Sequence, residues 1–207
     1  LKGGTFDINQ YPLLHAYLQN SPGSGYSSGV LPDWRGHYPG DLTELTKKTN
    51  DFLKNSQDLN AGLERDGGAS SSSDPEMPHM WQESQDFYNW CIGPSTEIWN
   101  HWGYLDVQQR QIAKSWANYH PKGGWTDEHT HGTTHQVIVL YLDVPKDSGH
   151  LEVHNPLFYH WEGTKRGAGT NGWRQVPVTT GDVIIFPGWL LHRTGKNFND
   201  EPRLTIN

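Results

Sequence analysis

The chain has 207 residues, of which 33% are hydrophobic, including ten Trp and nine Tyr; that length suits one domain whose large rings fill a core from few residues. A formal net charge of -7 with no run of Lys or Arg excludes tight binding to nucleic acid or anionic membrane through bulk electrostatics. The 23 Gly and 13 Pro argue for many turns and against a helical bundle, and the single cysteine, Cys91, excludes an internal disulfide and reads as a small apolar packing residue.

Taken in chain order, residues 6–20 and 41–57 have helix-like apolar spacing, marked in the second by Leu42, Leu45, Phe52 and Leu53. Asp41 stands as its N-cap, with Glu44 three residues on in a capping-box pattern. Residues 21–40, rich in Gly, Ser and Pro, read as loop. Residues 66–78 read as a solvated surface loop, with a lid over the site as the other reading. Residues 79–103 hold four Trp and predict one or two helices packed on a sheet.

From about residue 109 short strands take over, expected near 110–119, 134–143, 149–154, 174–178, 182–187, 190–194 and 203–207. Val137 to Leu142 is the strongest, an apolar run expected to be buried on both faces. Helices followed by many short strands give an α+β, mainly β, chain with a jelly-roll core and N-terminal supporting helices. The expected organisation is one domain over 1–207, with 1–108 as support and 109–207 as core. No stretch approaches the roughly 18 apolar residues that span a bilayer, and no signal peptide is visible, so a cytoplasmic location is expected.

Seven of the twelve histidines lie between His120 and His160. His129 and His131, two apart on extended chain, present their imidazoles to one side, and His192 closes the group from a distant strand. Three protein ligands on one face leave open positions opposite, as oxygen activation at iron requires. An iron triad normally carries a carboxylate in the position of His131. Asp127, two residues before His129, is the alternative second ligand; Glu128 is a further one, expected to point to the other face. Eleven residues after His192, Arg203 and Thr205 share a strand face, a guanidinium and a hydroxyl suited to a carboxylate.

The chain resembles the 2-oxoglutarate/Fe(II)-dependent oxygenase superfamily, and within it a little-characterised branch of bacteria and phages. The carrying residues are Trp116-Ala-Asn118, His129-Thr-His131, Val139-Leu-Tyr-Leu142, Gly149-His-Leu-Glu-Val-His-Asn-Pro156, Gly181-Asp-Val-Ile-Ile-Phe-Pro187, Trp189-Leu-Leu-His192 and Arg203-Leu-Thr-Ile-Asn207. The likeness covers about residues 110–207 closely and the first half loosely. It implies a double-stranded β-helix, with iron held by His129, His131 and His192. Arg203 and Thr205 would take the distal carboxylate of 2-oxoglutarate, and Asn118 would contact the same co-substrate. The implied reaction is hydroxylation of a prime substrate by molecular oxygen, with release of succinate and CO2, in a bacterium or a phage-infected cell. Trp125, Trp173 and Trp189 are candidate walls of the site. Loops 21–40, 66–78 and 158–174 are expected to shape the substrate entrance, the last made mobile by Gly163, Gly167, Gly169 and Gly172. Two other functions suit the same pattern. A cupin-like dioxygenase would hold iron through three histidines without 2-oxoglutarate, and a non-catalytic jelly-roll binding module would need no iron.

Overall fold

A computed structural model describes residues 33–104, 110–156 and 172–207. The first described strand is β1 (Trp34–His37), followed by helix α1 (Thr43–Asn55) and the short strands β2 (Glu64–Arg65) and β3 (Ala69–Ser70). Two 3-10 turns, Pro78–Met80 and Gln82–Ser84, lead into helix α2 (Gln85–His101), which runs through Pro94. Eight strands follow: β4 (Ala117–His120), β5 (Trp125–Thr126), β6 (Gln136–Asp143), β7 (Leu151–His154), β8 (Trp173–Val176), β9 (Asp182–Pro187), β10 (His192–Thr194) and β11 (Arg203–Ile206).

The strands divide between a six-stranded sheet, ordered β1-β9-β6-β11-β4-β3, and a three-stranded sheet, β10-β7-β8, and among the described residues every pairing is antiparallel. A small β2-β5 pair sits beside them, and a bridge between His129 and His192 carries the chain after β5 onto β10. From β6 onward the chain goes large, small, small, large, small, large. That alternation is the winding of a jelly roll.

The period of two along each strand sorts the core into two layers. Leu140, Leu142, Val183, Ile185, Leu204 and Ile206 pack with Phe87, Ile98 and Trp102 on the helical side of the large sheet. Val137, Val139, Tyr141, Ile184 and Phe186 meet Leu151, Val153 and Val176 between the sheets. The Val137–Leu142 run is thus buried on both faces, as its composition predicts. Each fully buried Leu or Ile contributes roughly 1.5–3 kcal/mol. The same alternation turns Asn118, His120, Arg203 and Thr205 away from the helices, because Ala117, Leu204 and Ile206 on the intervening positions belong to the helical layer.

Several expectations change. The stretch 110–116 is not strand, and β4 starts only at Ala117. The loop expected over 21–40 contains β1, which pairs with β9 and is pinned by Arg35 donating to Asp182 at 2.7 Å. The solvated loop expected at 66–78 is in part docked. Ala69 and Ser70 pair with β4, Ser70 and Ser71 are buried, and the backbone N–H of Ala117 donates to Ser71 Oγ at 2.9 Å. Open backbone groups on the edge of β4 favour such a partner, whatever the polarity of its side chains. Asp41 is not the N-cap of α1 and no capping box with Glu44 forms: Leu42 takes that place without a side-chain cap, and Asp41, one residue earlier, accepts at Oδ1 from the Thr43 backbone N–H at 2.9 Å. The expected helix over 6–20, and most of the 158–174 loop with Gly163, Gly167 and Gly169, lie outside the described residues.

Candidate active site

His129 and His192 exchange backbone hydrogen bonds, at 2.9 Å and 3.0 Å, so two imidazoles far apart in sequence are locked side by side. His131 is anchored two residues on by its N–H to Gly188 O at 2.8 Å. Their ring centroids lie 4.2 Å (129–192), 5.0 Å (129–131) and 5.0 Å (131–192) apart. One ring nitrogen from each lies within 4.8 Å of the others, a group able to hold a metal ion.

The tautomers suit that use. His129 Nδ1–H donates to Asp127 O and His192 Nδ1–H to Leu190 O, each at 2.8 Å. A neutral imidazole donating from Nδ1 keeps a lone pair on Nε2, which is what a cation needs. Burial and then the neighbouring His129 push His131 down to about 4. Burial likewise pushes His192 down to about 3, so both are neutral at pH 7.

Asp127 is placed differently. Its carboxylate accepts from Arg65 NH2 at 2.9 Å and is not in the histidine group, while Glu128 is exposed. The Arg65 ion pair gives the Asp127 carboxylate a partner away from the imidazoles.

A cavity of about 290 Å³ between the sheets is lined by the three histidines and also by Asn118, Arg203 and Thr205. Arg203 is 1% exposed; its NH1 donates to Ser148 O at 2.5 Å, while Nε and NH2 have no partner among the described residues. Burial lowers the guanidinium's pKa, opposed by Tyr141 and Glu64. Asn118, opposite Thr205 in the sheet, likewise has a buried Oδ1 without a partner. Unpaired buried donors on a cation are costly, so the arrangement is built for an anionic ligand with paired oxygens. Gly149, at φ +85°, lets the backbone close over this corner: a Cβ there would stand 2.3 Å from Gly195 O and 2.7 Å from Arg203 NH1.

Of the aromatic walls expected, none of Trp125, Trp173 and Trp189 lines the cavity. Trp173 stacks under Arg193 at 4.2 Å, Lys196 lies over Trp125 at 5.9 Å, and Trp189 is 46% exposed. Trp116 takes that place, 5.6 Å from the His131 ring. The sequence reading also missed Glu64, His120 and Thr126, a buried cluster in the cavity wall joined by hydrogen bonds of 2.6 to 2.8 Å. Nothing in their spacing singles them out.

Residues 114–207 match the model of the family described as "Putative 2OG-Fe(II) oxygenase". This part of the chain, a little under half of it, is similar to that family. Its class is therefore that of the Fe(II)/2-oxoglutarate-dependent dioxygenases, oxidoreductases with those two cofactors. The oxygenase domain carries all three histidines and Arg203. Among solved structures, the chain is similar to a Pseudomonas putida prolyl-4-hydroxylase, at 14% identity over 85% of this chain and 90% of that one, with a TM-score of 0.53. It is also similar to the α-ketoglutarate-dependent carbocyclase SnoK of nogalamycin biosynthesis (13% identity, 85% and 78% covered, TM-score 0.59). HygX from Streptomyces hygroscopicus, solved with nickel and 2-oxoglutarate, is a third (12%, 85% and 81%, TM-score 0.57). At these identities the likeness is one of fold, the double-stranded β-helix. No curated protein matches. Among the described residues, no helix is long and apolar enough to cross a membrane.

Proposed function

We propose that residues 1–207 work as one catalytic domain that hydroxylates, or similarly oxidises, an unidentified substrate while 2-oxoglutarate is converted to succinate and CO2. His129, His131 and His192 hold Fe(II), with Nε2 as the ligand atom of His129 and His192. Arg203 receives the distal carboxylate of 2-oxoglutarate, assisted by Thr205 and Asn118. Bound together, iron and the oxoacid supply the oxygen chemistry that amino-acid side chains lack.

The chain's own residues hold and shield the reactants. Neutral imidazoles offer lone pairs without first losing protons, and three neutral ligands leave the metal's positive charge free to attract an oxoacid. Arg203 meets the other end of that acid with two unpaired donor nitrogens in a fixed fork. Trp116 beside His131 and the buried Val137 and Val139 keep water from the reacting centre.

The single observation that carries this reading is one cavity shared by a three-histidine cluster and a buried, half-partnered arginine. Arg203 and the family match favour it over a three-histidine dioxygenase that uses no oxoacid. Succinate release without prime substrate, under air with Fe(II) and 2-oxoglutarate, is the test. The wild type is expected to form succinate slowly and His192→Ala none. Arg203→Ala is expected to raise the KM for 2-oxoglutarate about a hundredfold, as for two lost charged hydrogen bonds. Oxygen uptake indifferent to 2-oxoglutarate and to Arg203 would instead favour the cupin-like dioxygenase.

A further inference from the structure

Resting on the assignment of Arg203 to the co-substrate, we propose that Glu64 is the resident counter-charge of Arg203, a positioning residue that competes with 2-oxoglutarate for the same guanidinium and so sets its affinity. The geometry is that of an indirect pair. Glu64 is 6% exposed on β2, and its Oε2 accepts from Thr126 Oγ1 at 2.8 Å. The same Oε2 lies 2.6 Å from His120 Nε2, which donates to it in the tautomer carrying its proton there. His120 in turn lies directly across the strand pair from Arg203. All four residues line the one cavity.

A buried cation with two idle donors needs compensation before any ligand arrives. A carboxylate in direct contact would occupy those donors. Placed behind an imidazole, Glu64 supplies field without taking the hydrogen bonds, and Nε and NH2 of Arg203 stay open. The influence is visible at Arg203 and at His120. Glu64 opposes the lowering of the Arg203 pKa, and burial first, then Arg203, keeps the His120 imidazole below its ordinary value. When a dicarboxylate enters, two anionic groups share one guanidinium. Glu64 therefore weakens the binding of any co-substrate with a distal carboxylate, and leaves an acid lacking that group untouched.

Two arms test this. In the first, calorimetry on Mn(II)-loaded protein measures binding of 2-oxoglutarate and of 2-oxopentanoate, the same oxoacid without the distal carboxylate. Glu64→Gln is expected to tighten 2-oxoglutarate about tenfold, the effect of removing one nearby like charge in a partly screened site, and to leave 2-oxopentanoate within about twofold. A structural role alone would weaken both acids; that result, or no change in either, overturns the proposal. The second arm uses no ligand. Arg203→Gln leaves Glu64 as an uncompensated buried carboxylate, so the double variant Glu64→Gln/Arg203→Gln should melt no lower than Arg203→Gln alone. Losses that simply add overturn the coupling. Wild type binding both acids equally overturns the co-substrate reading and this proposal with it. The melting arm separates that failure from one of the Glu64–Arg203 coupling alone.

Discussion

Burial first, and then neighbouring imidazoles packed with centroids 4.2 to 5.0 Å apart, keep protons off His131 and His192. The histidines were legible in the sequence because two residues apart on extended chain is a ligand spacing, and Arg203 because it shares a face with Thr205 downstream of His192. Glu64 and His120 were not legible. They are 56 residues apart and meet only because β2 pairs with β5 while β4 pairs with β11. The depressed values of His131 (about 4) and His192 (about 3) have a consequence for the metal-free protein. Below the ordinary value of 6.5, the unfolded chain binds protons that these folded imidazoles refuse. Their contribution to stability is complete above pH 6.5 and is lost as pH falls toward 3 to 4. A melting series without metal should therefore show Tm falling from pH 7 to pH 4, and His192→Gln should flatten that fall. A Tm independent of pH over this range would contradict the neutral, buried cluster.

The connection between β10 and β11 fixes the spacing of ligand and arginine, and its organiser is Asn197. Fully buried, its Nδ2 donates to His120 O at 3.0 Å and to Glu201 O at 2.8 Å, and its Oδ1 accepts from Asn199 N–H at 2.8 Å. Asn197→Ala strips three partners at once and is expected to cost about 2–3 kcal/mol, a drop in Tm of roughly 4–12 °C. It should also raise the KM for 2-oxoglutarate, because Arg203 loses its fixed start of strand. Unchanged Tm in a thermal melt would refute that role. Asparagine in a turn-rich sequence carries no signal of this kind; only the backbone groups it finds after folding give it one. The same holds for β1 and β3, four and two residues long. Trp34-Arg-Gly-His37 has no alternation to announce a strand, and becomes one because β9 leaves an edge to pair with. The long apolar strands β6 and β9 announce themselves, since burial on both faces demands unbroken hydrophobicity.

Among the described residues, two helices cover one face of the large sheet and the small sheet covers the other, and the cavity opens between the sheets. The jelly-roll class was legible from many short strands after helices. Which strand joins which sheet was not, because strand membership follows from long-range pairing that no local pattern encodes. The architecture brings His129 and His131 after β5, His192 on β10, and Arg203 with Thr205 on β11 to one cavity, so metal and acid binding should be coupled. The direct test is anaerobic titration of Fe(II) and 2-oxoglutarate, followed by the weak visible charge-transfer band of the chelate. The account predicts a band in the wild type, its half-saturation shifted to much higher 2-oxoglutarate in Arg203→Ala, and no band in His192→Ala. Iron binding with no band, or a band indifferent to Arg203, would contradict it.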